Sequence, residues 1–176
     1  MFRSARPADA PAIANLHALS WRTTYRGILR DDFLDGPLLE NRRTLWDARL
    51  NDAAREGQLI LVSEREGGIQ AFACAFFDAD PEWGTLLDNL HVVPRLKGTG
   101  LGRMLMSEVA QRILRHPSNP KLHLWAYEKN AAALRFYERL GGIKTACQAE
   151  EAPDGSQVMA VRYCWQDVAS LTLPRV

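Results

Sequence analysis

The stretch Leu87–Leu114, LDNLHVVPRLKGTGLGRMLMSEVAQRIL, constrains this chain more than any other. An apolar run ends at Pro94, a residue that cannot continue a sheet ladder. Gly98, Gly100 and Gly102 then alternate with Thr99 and Leu101. Leu101, Leu105, Val109 and Ile113 follow at a spacing of four, the stripe of an amphipathic helix over 102–115. Alternate glycines let backbone N–H groups converge on one point with no side chains between them. The helix start adds unpaired N–H donors and about half a positive charge. Strand, glycine loop and helix in this order form a cradle for phosphate, and Lys97 and Arg103 supply local positive charge. Two other phosphate loops fail on spacing. A GxxxxGK[ST] loop needs a Gly-Lys pair followed by Ser or Thr, which the chain lacks. A GxGxxG loop needs its third glycine one position later than Gly102, and it belongs to the first strand of a parallel sheet.

The elements around this segment place it late in one domain. A short edge strand over 1–6 closes at Pro7, and a helix follows from Asp9 to Trp21 with Ile13, Leu16 and Leu19 near one face. Residues 23–35, rich in aromatics and arginine, read as irregular or briefly helical, and a second helix covers 39–55. QLILVSE (58–64) and IQAFACAFF (69–77) read as hairpin arms around Gly67-Gly68. Further strands are expected over 85–93 and 121–127, a short helix over 130–140 ending at Gly141-Gly142, and a last hairpin of 143–150 and 157–165 across Pro153-Asp154-Gly155. The pattern is α+β, a mostly antiparallel sheet with a strand–helix–strand crossover between 85 and 127, and the domain is expected to span 1–176.

Charge and cysteine content narrow the function classes. The 22 Lys and Arg against 21 Asp and Glu leave a formal net charge of +1, with no footprint for nucleic acid or an anionic membrane. No run approaches ~18 apolar residues, so no membrane span is expected. Cys74, Cys147 and Cys164 form neither a disulfide framework nor a CxxC metal site, so reduced thiols in the cytoplasm and no metal are expected. The first residues carry Arg and Asp and no apolar signal core, and read as mature protein.

The second chemical motif is NAAALRFYERLGG, Asn130–Gly142. On a helix Asn130, Ala133 and Tyr137 share one face, and small alanines leave room for a ligand along it. Asn130 also suits the cap of that helix. With the loop KGTGLG, this segment makes the chain similar to the GNAT superfamily of acyl-CoA-dependent N-acetyltransferases. Lys97–Gly102 matches the family's [QR]-x-x-G-x-[GA] loop with Lys for Arg or Gln, and Asn130–Gly141 matches N-x-x-A-x-x-[LF]-Y-E-[KR]-L-G. The segment WRTTYRGILRDDFLD also resembles bacterial members without an assigned substrate.

The resemblance implies a central sheet of about six or seven strands flanked by about four helices, and acetyl-CoA as co-substrate. It implies that backbone amides over Gly98, Thr99, Gly100, Leu101, Gly102 and Arg103 hold the pyrophosphate. It implies that the strand at Leu90, His91 and Val92 splays from the strand at 121–127 to admit the pantetheine arm like an added strand. A backbone N–H near Leu90 or His91 would polarise the thioester carbonyl, Asn130 would hydrogen-bond the pantetheine, and Tyr137 would protonate the leaving thiolate. Many relatives carry a glutamate base where this chain has Trp125. Asp88 is therefore the first candidate base, followed by His91 and His123.

The acceptor is expected to be an amine of a small molecule or a peptide, received near Trp21 and Tyr25. Aromatics with carboxylates there suit a cation, whereas Arg22 and Arg26 suit a carboxylate, so the residues leave the acceptor open. A non-catalytic acyl-CoA-binding module is the alternative function, and retention of Tyr137 argues against it. The apolar strand 158–165 is the expected two-fold pairing edge of a homodimer.

Overall fold

The computed structural model describes residues 2–51, 57–65, 68–116 and 119–173. Seven strands form one sheet: β1 (Phe2–Ser4), β2 (Gln58–Arg65), β3 (Gly68–Asp80), β4 (Gly84–Val92), β5 (Leu122–Tyr127), β6 (Ile143–Glu151) and β7 (Gln157–Trp165). Their spatial order is β1-β2-β3-β4-β5-β7-β6. Only β4 and β5 run parallel, and α4 (Leu101–Arg115) crosses between them. The other helices are α1 (Ala10–Thr24), α2 (Asp31–Asp35), α3 (Leu38–Asn51) and α5 (Ala131–Arg139).

The continuous apolar runs of β2 and β3 reflect burial on both faces. Leu59, Leu61, Ala71, Ala73 and Ala75 pack with Leu105, Met106, Val109 and Ile113 of α4. The alternate residues Ile60, Val62, Phe72 and Cys74 pack with Ile13, Ala14 and Leu16 of α1 and Trp46 and Leu50 of α3. Each fully buried Leu or Ile side chain contributes about 1.5–3 kcal/mol, so these two layers fix the sheet between the helices.

The segment over 23–35 contains the five-residue helix α2, within the irregular or briefly helical reading, and five α-helices flank the sheet where about four were expected. Two expectations change. β7 is not an edge: β5 and β6 flank it, so the strand expected to pair across a two-fold axis has no free ladder to offer. α1 runs on to Thr24, three residues past its expected end. The expected end of the second helix beyond 51, and Gly67 of the hairpin turn, lie outside the described residues. No helix among the described residues is long and apolar enough to cross a membrane.

Two tertiary contacts hold the elements that carry the site. Trp165 Nε1 donates to the Leu140 carbonyl at 2.9 Å and clamps the end of α5. A Cβ on Gly142 would lie 2.7 Å from the Trp165 ring and 2.9 Å from the Tyr137 carbonyl. Gly142→Ala is therefore expected to destabilise the protein by about 1–3 kcal/mol, the range for overpacking a filled core, read by chemical denaturation. In the β6–β7 turn, the Asp154 carboxylate accepts the Arg30 backbone N–H at 2.7 Å and the Ser156 hydroxyl at 2.7 Å, tying that turn to the segment after α1.

Candidate active site

The site begins where the parallel pair ends. β4 and β5 are in register only at Thr85↔Leu122 and Leu86↔His123. On its other edge β4 steps from Ala75↔Leu87 to Cys74↔Asn89, so Asp88 is an extra residue, a β-bulge. A bulge bends and over-twists its strand, and β4 leaves β5 at this point. The backbone groups of β4 that face β5 beyond Leu86 have no partner strand. The gap is a cavity of about 690 Å³, walled by β4, β5, the glycine loop, α5 and the end of α1.

Leu90, His91 and Val92 line it from β4, and Asn130, Ala133 and Tyr137 from α5. Lys97, Gly98, Gly100, Gly102 and Arg103 line its mouth. Gly100 is the residue before α4 and sits at φ 88, with Gly98 at φ 84. These left-handed positions turn successive amides of the loop and need glycine. A Cβ on Gly98 or Gly100 would meet no protein atom within 4 Å, so the loop borders open space. Thr99 and Leu101 are not on the wall: the Thr99 hydroxyl donates to the Leu96 carbonyl at 2.8 Å, and Leu101 packs on the core.

Tyr137 is buried, its ring against Phe136, Tyr163 and Trp165 at centroid distances of 5.2, 6.0 and 6.2 Å. Its hydroxyl makes no hydrogen bond among the described residues, although most buried tyrosine hydroxyls find one. Burial pushes the phenol upward, so it stays protonated through the neutral range. Asn130 caps α5, its side-chain oxygen accepting the Ala133 N–H at 3.2 Å. Burial pushes the Tyr25 phenol up to about 12.

His91 Nδ1 lies 2.9 Å from Ser20 Oγ. Burial first, then the charges of Lys97 and Arg42, push its imidazole down to about 3, so it is neutral at physiological pH. Lys97 Nζ donates to Thr24 Oγ1 at 2.9 Å across the cavity mouth, and partial burial lowers its ammonium pKa. Asp88 lines the cavity with one oxygen engaged: its Oδ2 accepts from Arg49 Nη1 at 2.7 Å.

Two further sequence candidates lie off the cavity. Trp21 is behind the wall, edge-on to Tyr25 at 5.1 Å and under the Arg42 guanidinium at 4.4 Å, because α1 turns it into the core while Tyr25 faces the opening. His123 has Nδ1 3.3 Å from the Trp83 carbonyl, at the closed end of the parallel pair. Sequence reasoning missed Ser20 and Thr24, which line the cavity, and Arg49, which holds Asp88, with Arg42 behind the wall on Trp21. The available sign for the arginines was their spacing: Arg42, Trp46 and Arg49 stand at i, i+4 and i+7, which puts two charges on the buried face of α3.

The sequence model of the acetyltransferase (GNAT) family matches residues 13–142. A Mycobacterium tuberculosis protein described as a probable N-acetyltransferase is 30% identical over 142 residues, covering 78% of this chain and 76% of its own. Streptothricin acetyltransferase of Streptomyces lavendulae is 26% identical over 178 residues, covering 90% and 91%. The structure of YncA from Salmonella typhimurium with its cofactor acetyl-CoA superimposes with a TM-score of 0.65 at 22% identity, over 94% of this chain and 92% of that one.

Proposed function

The chain belongs to the acetyltransferase (GNAT) family, and we propose that it transfers an acetyl group from acetyl-CoA directly to an amine of a small molecule or peptide. It is an acetyl-CoA-dependent acetyltransferase, and the non-catalytic alternative is not favoured. The observation that carries the proposed mechanism is the gap between β4 and β5, with the glycine loop at one end and an unbonded phenol within.

In this reading the amides over Gly98–Arg103 hold the pyrophosphate, assisted by the α4 terminus and by Lys97 and Arg103. The unpaired edge of β4 around Leu90 and His91 bonds the pantetheine arm as an added strand and polarises the thioester carbonyl. Beyond its bond to Ala133, Asn130 keeps one lone pair and its side-chain N–H groups, enough to fix the same arm. The amine nitrogen attacks the carbonyl carbon, the C–N bond forms, and the C–S bond breaks with its electron pair on sulfur. Tyr137 gives its proton to that sulfur. The free oxygen of Asp88, held by Arg49, takes the proton lost by nitrogen and returns it to the phenolate through water at the cavity mouth.

Neutralising a lysine-like amine at pH 7 costs about 4.6 kcal/mol, which is the reason for a carboxylate beside the acceptor. Burial raises the phenol, but it raises the departing thiol as well, so the ordinary gap of ~1.5 units, about 2 kcal/mol, stays within reach. The three free cysteines suit a cytoplasmic setting. The test is thiol release from acetyl-CoA against a panel of amines, run beside calorimetric binding of acetyl-CoA. Release that depends on an amine is expected. Tight binding without release from any amine would overturn the proposed acceptor class.

A further inference from the structure

The gap between β4 and β5 closes on a stack of side chains. The last registered pair of the two strands is Leu86↔His123. Two residues further on, Asp88 of β4 and Trp125 of β5 stand on either side of the opening, and both line the cavity. Residues two apart on a strand share a face, so Trp125 lies on the face of His123 and Tyr127. Leu122, Leu124 and Ala126 turn the other way, into the core with α4. Arg162 of β7 stands directly opposite Trp125. Its guanidinium lies 5.5 Å from the Trp125 ring centroid and 4.1 Å from that of Trp83, which precedes β4. Its Nε donates to Thr145 Oγ1 at 3.0 Å. The Trp83 end is fixed as well: its backbone N–H donates to Asp80 Oδ1 at 2.9 Å, and its carbonyl lies 3.3 Å from His123 Nδ1.

Trp125 is therefore a large ring braced at the closed end of the cavity, since a guanidinium attracted to the faces of two indoles holds both in place. Leu87, 3% exposed, backs the same end from β4. The glycine loop lies at the other end. A pantetheine arm that starts at the loop runs along the splayed edge of β4. It has about thirteen bonds from phosphorus to sulfur, the length of about four extended residues at three backbone bonds each, or ~13 Å. The edge of β4 from Val92, next to the loop, back to Asp88 is four residues long. The sulfur of a seated acyl-CoA thus falls near the closed end. An extended arm carries its acyl group onward in the same direction, against Leu87 and Trp125.

We infer that Trp125, braced by Arg162 and Trp83, sets the acyl-chain length, and that the cavity takes acetyl and excludes straight acyl chains of four carbons or more. An acetyl group adds only a methyl beyond its carbonyl. Each further methylene must enter space that the indole fills, and packed side chains yield such space only by moving. Asp88, on the opposite side, is ionised and held by Arg49, so an alkyl tail turned that way would strip water from a charge. The inference rests on the acetyl-transfer reading above and names the acyl donor its site selects.

The test is calorimetric binding of acetyl-CoA and of butyryl-CoA to the full chain with no amine present, so the readout does not depend on knowing the acceptor. The wild-type protein is expected to bind acetyl-CoA at least tenfold more tightly than butyryl-CoA. Trp125→Ala is expected to bring the two within about threefold, and Trp125→Phe to fall between. A side chain with a merely structural role would weaken both donors alike and leave their ratio where it was. Wild-type affinity for butyryl-CoA equal to that for acetyl-CoA overturns the inference, as does an unchanged ratio in a folded Trp125→Ala protein. Failure to bind acetyl-CoA at all would instead sink the underlying reading of the gap. The wild-type ratio and Trp125→Phe decide the matter even if the alanine variant does not fold.

Discussion

Tyr137→Phe is expected to lower kcat about 10²- to 10⁴-fold, the usual worth of a positioned proton donor, while leaving the fold and acetyl-CoA affinity intact. The separation is sharp because the phenol oxygen does nothing structural. It makes no hydrogen bond among the described residues, and the ring is held by Phe136, Tyr163 and Trp165 through contacts that phenylalanine keeps. Steady-state kinetics with an identified acceptor, beside calorimetric binding and a thermal melt, reads all three quantities. Since burial pushes the phenol up, the wild-type enzyme should lose activity to tyrosine ionisation only above about pH 10. Unchanged turnover in the phenylalanine variant would remove Tyr137 from the reaction.

Gly100→Val is expected to weaken acetyl-CoA binding at least tenfold. Gly100 sits at φ 88, where an L-residue costs about 1–2 kcal/mol and a β-branched one more. Nothing lies within 4 Å of the added Cβ, so the strain is in the backbone and the loop relieves it by rotating. Rotation turns the amides of the cradle away from their common point, and each 1.4 kcal/mol lost there is tenfold in affinity. Gly100→Asn, which tolerates the left-handed region better, should fall between the two. Calorimetry on protein with an unaltered melting temperature is the check, and wild-type affinity in the valine variant would place the phosphates elsewhere.

What sequence disclosed and what it withheld follow from the kind of information that each pattern holds. QLILV and the stripe Leu101, Leu105, Val109 and Ile113 report burial, so β2, β3 and α4 were legible within a few residues. Periodicity says which face is buried, not which strand lies alongside. The interior position of β7 was therefore invisible, and the apolar run 158–165 was read as an interface when it is core. The bulge at Asp88 was equally hidden, because it exists only as a mismatch with β3. Glycines and the Asn-Tyr helix marked the cavity because their chemistry is local. Arg49 on Asp88 and Arg42 on Trp21 are contacts between distant segments that no local pattern writes down.

The single parallel seam also bears on how the molecule assembles. Four strands, β1 to β4, lie on one side of it and three on the other, and within each block neighbouring strands are antiparallel. β2, β3 and β4 follow one another in sequence, so that block pairs through short-range connections. Joining the blocks requires the long crossover through α4 and is rewarded by only two registered positions. A chain with either block formed alone has half a cavity and no cradle opposite its tyrosine. A ligand in the gap thus recognises only the completed molecule, and stabilises it over the separate blocks by an amount that grows with the logarithm of ligand concentration over Kd.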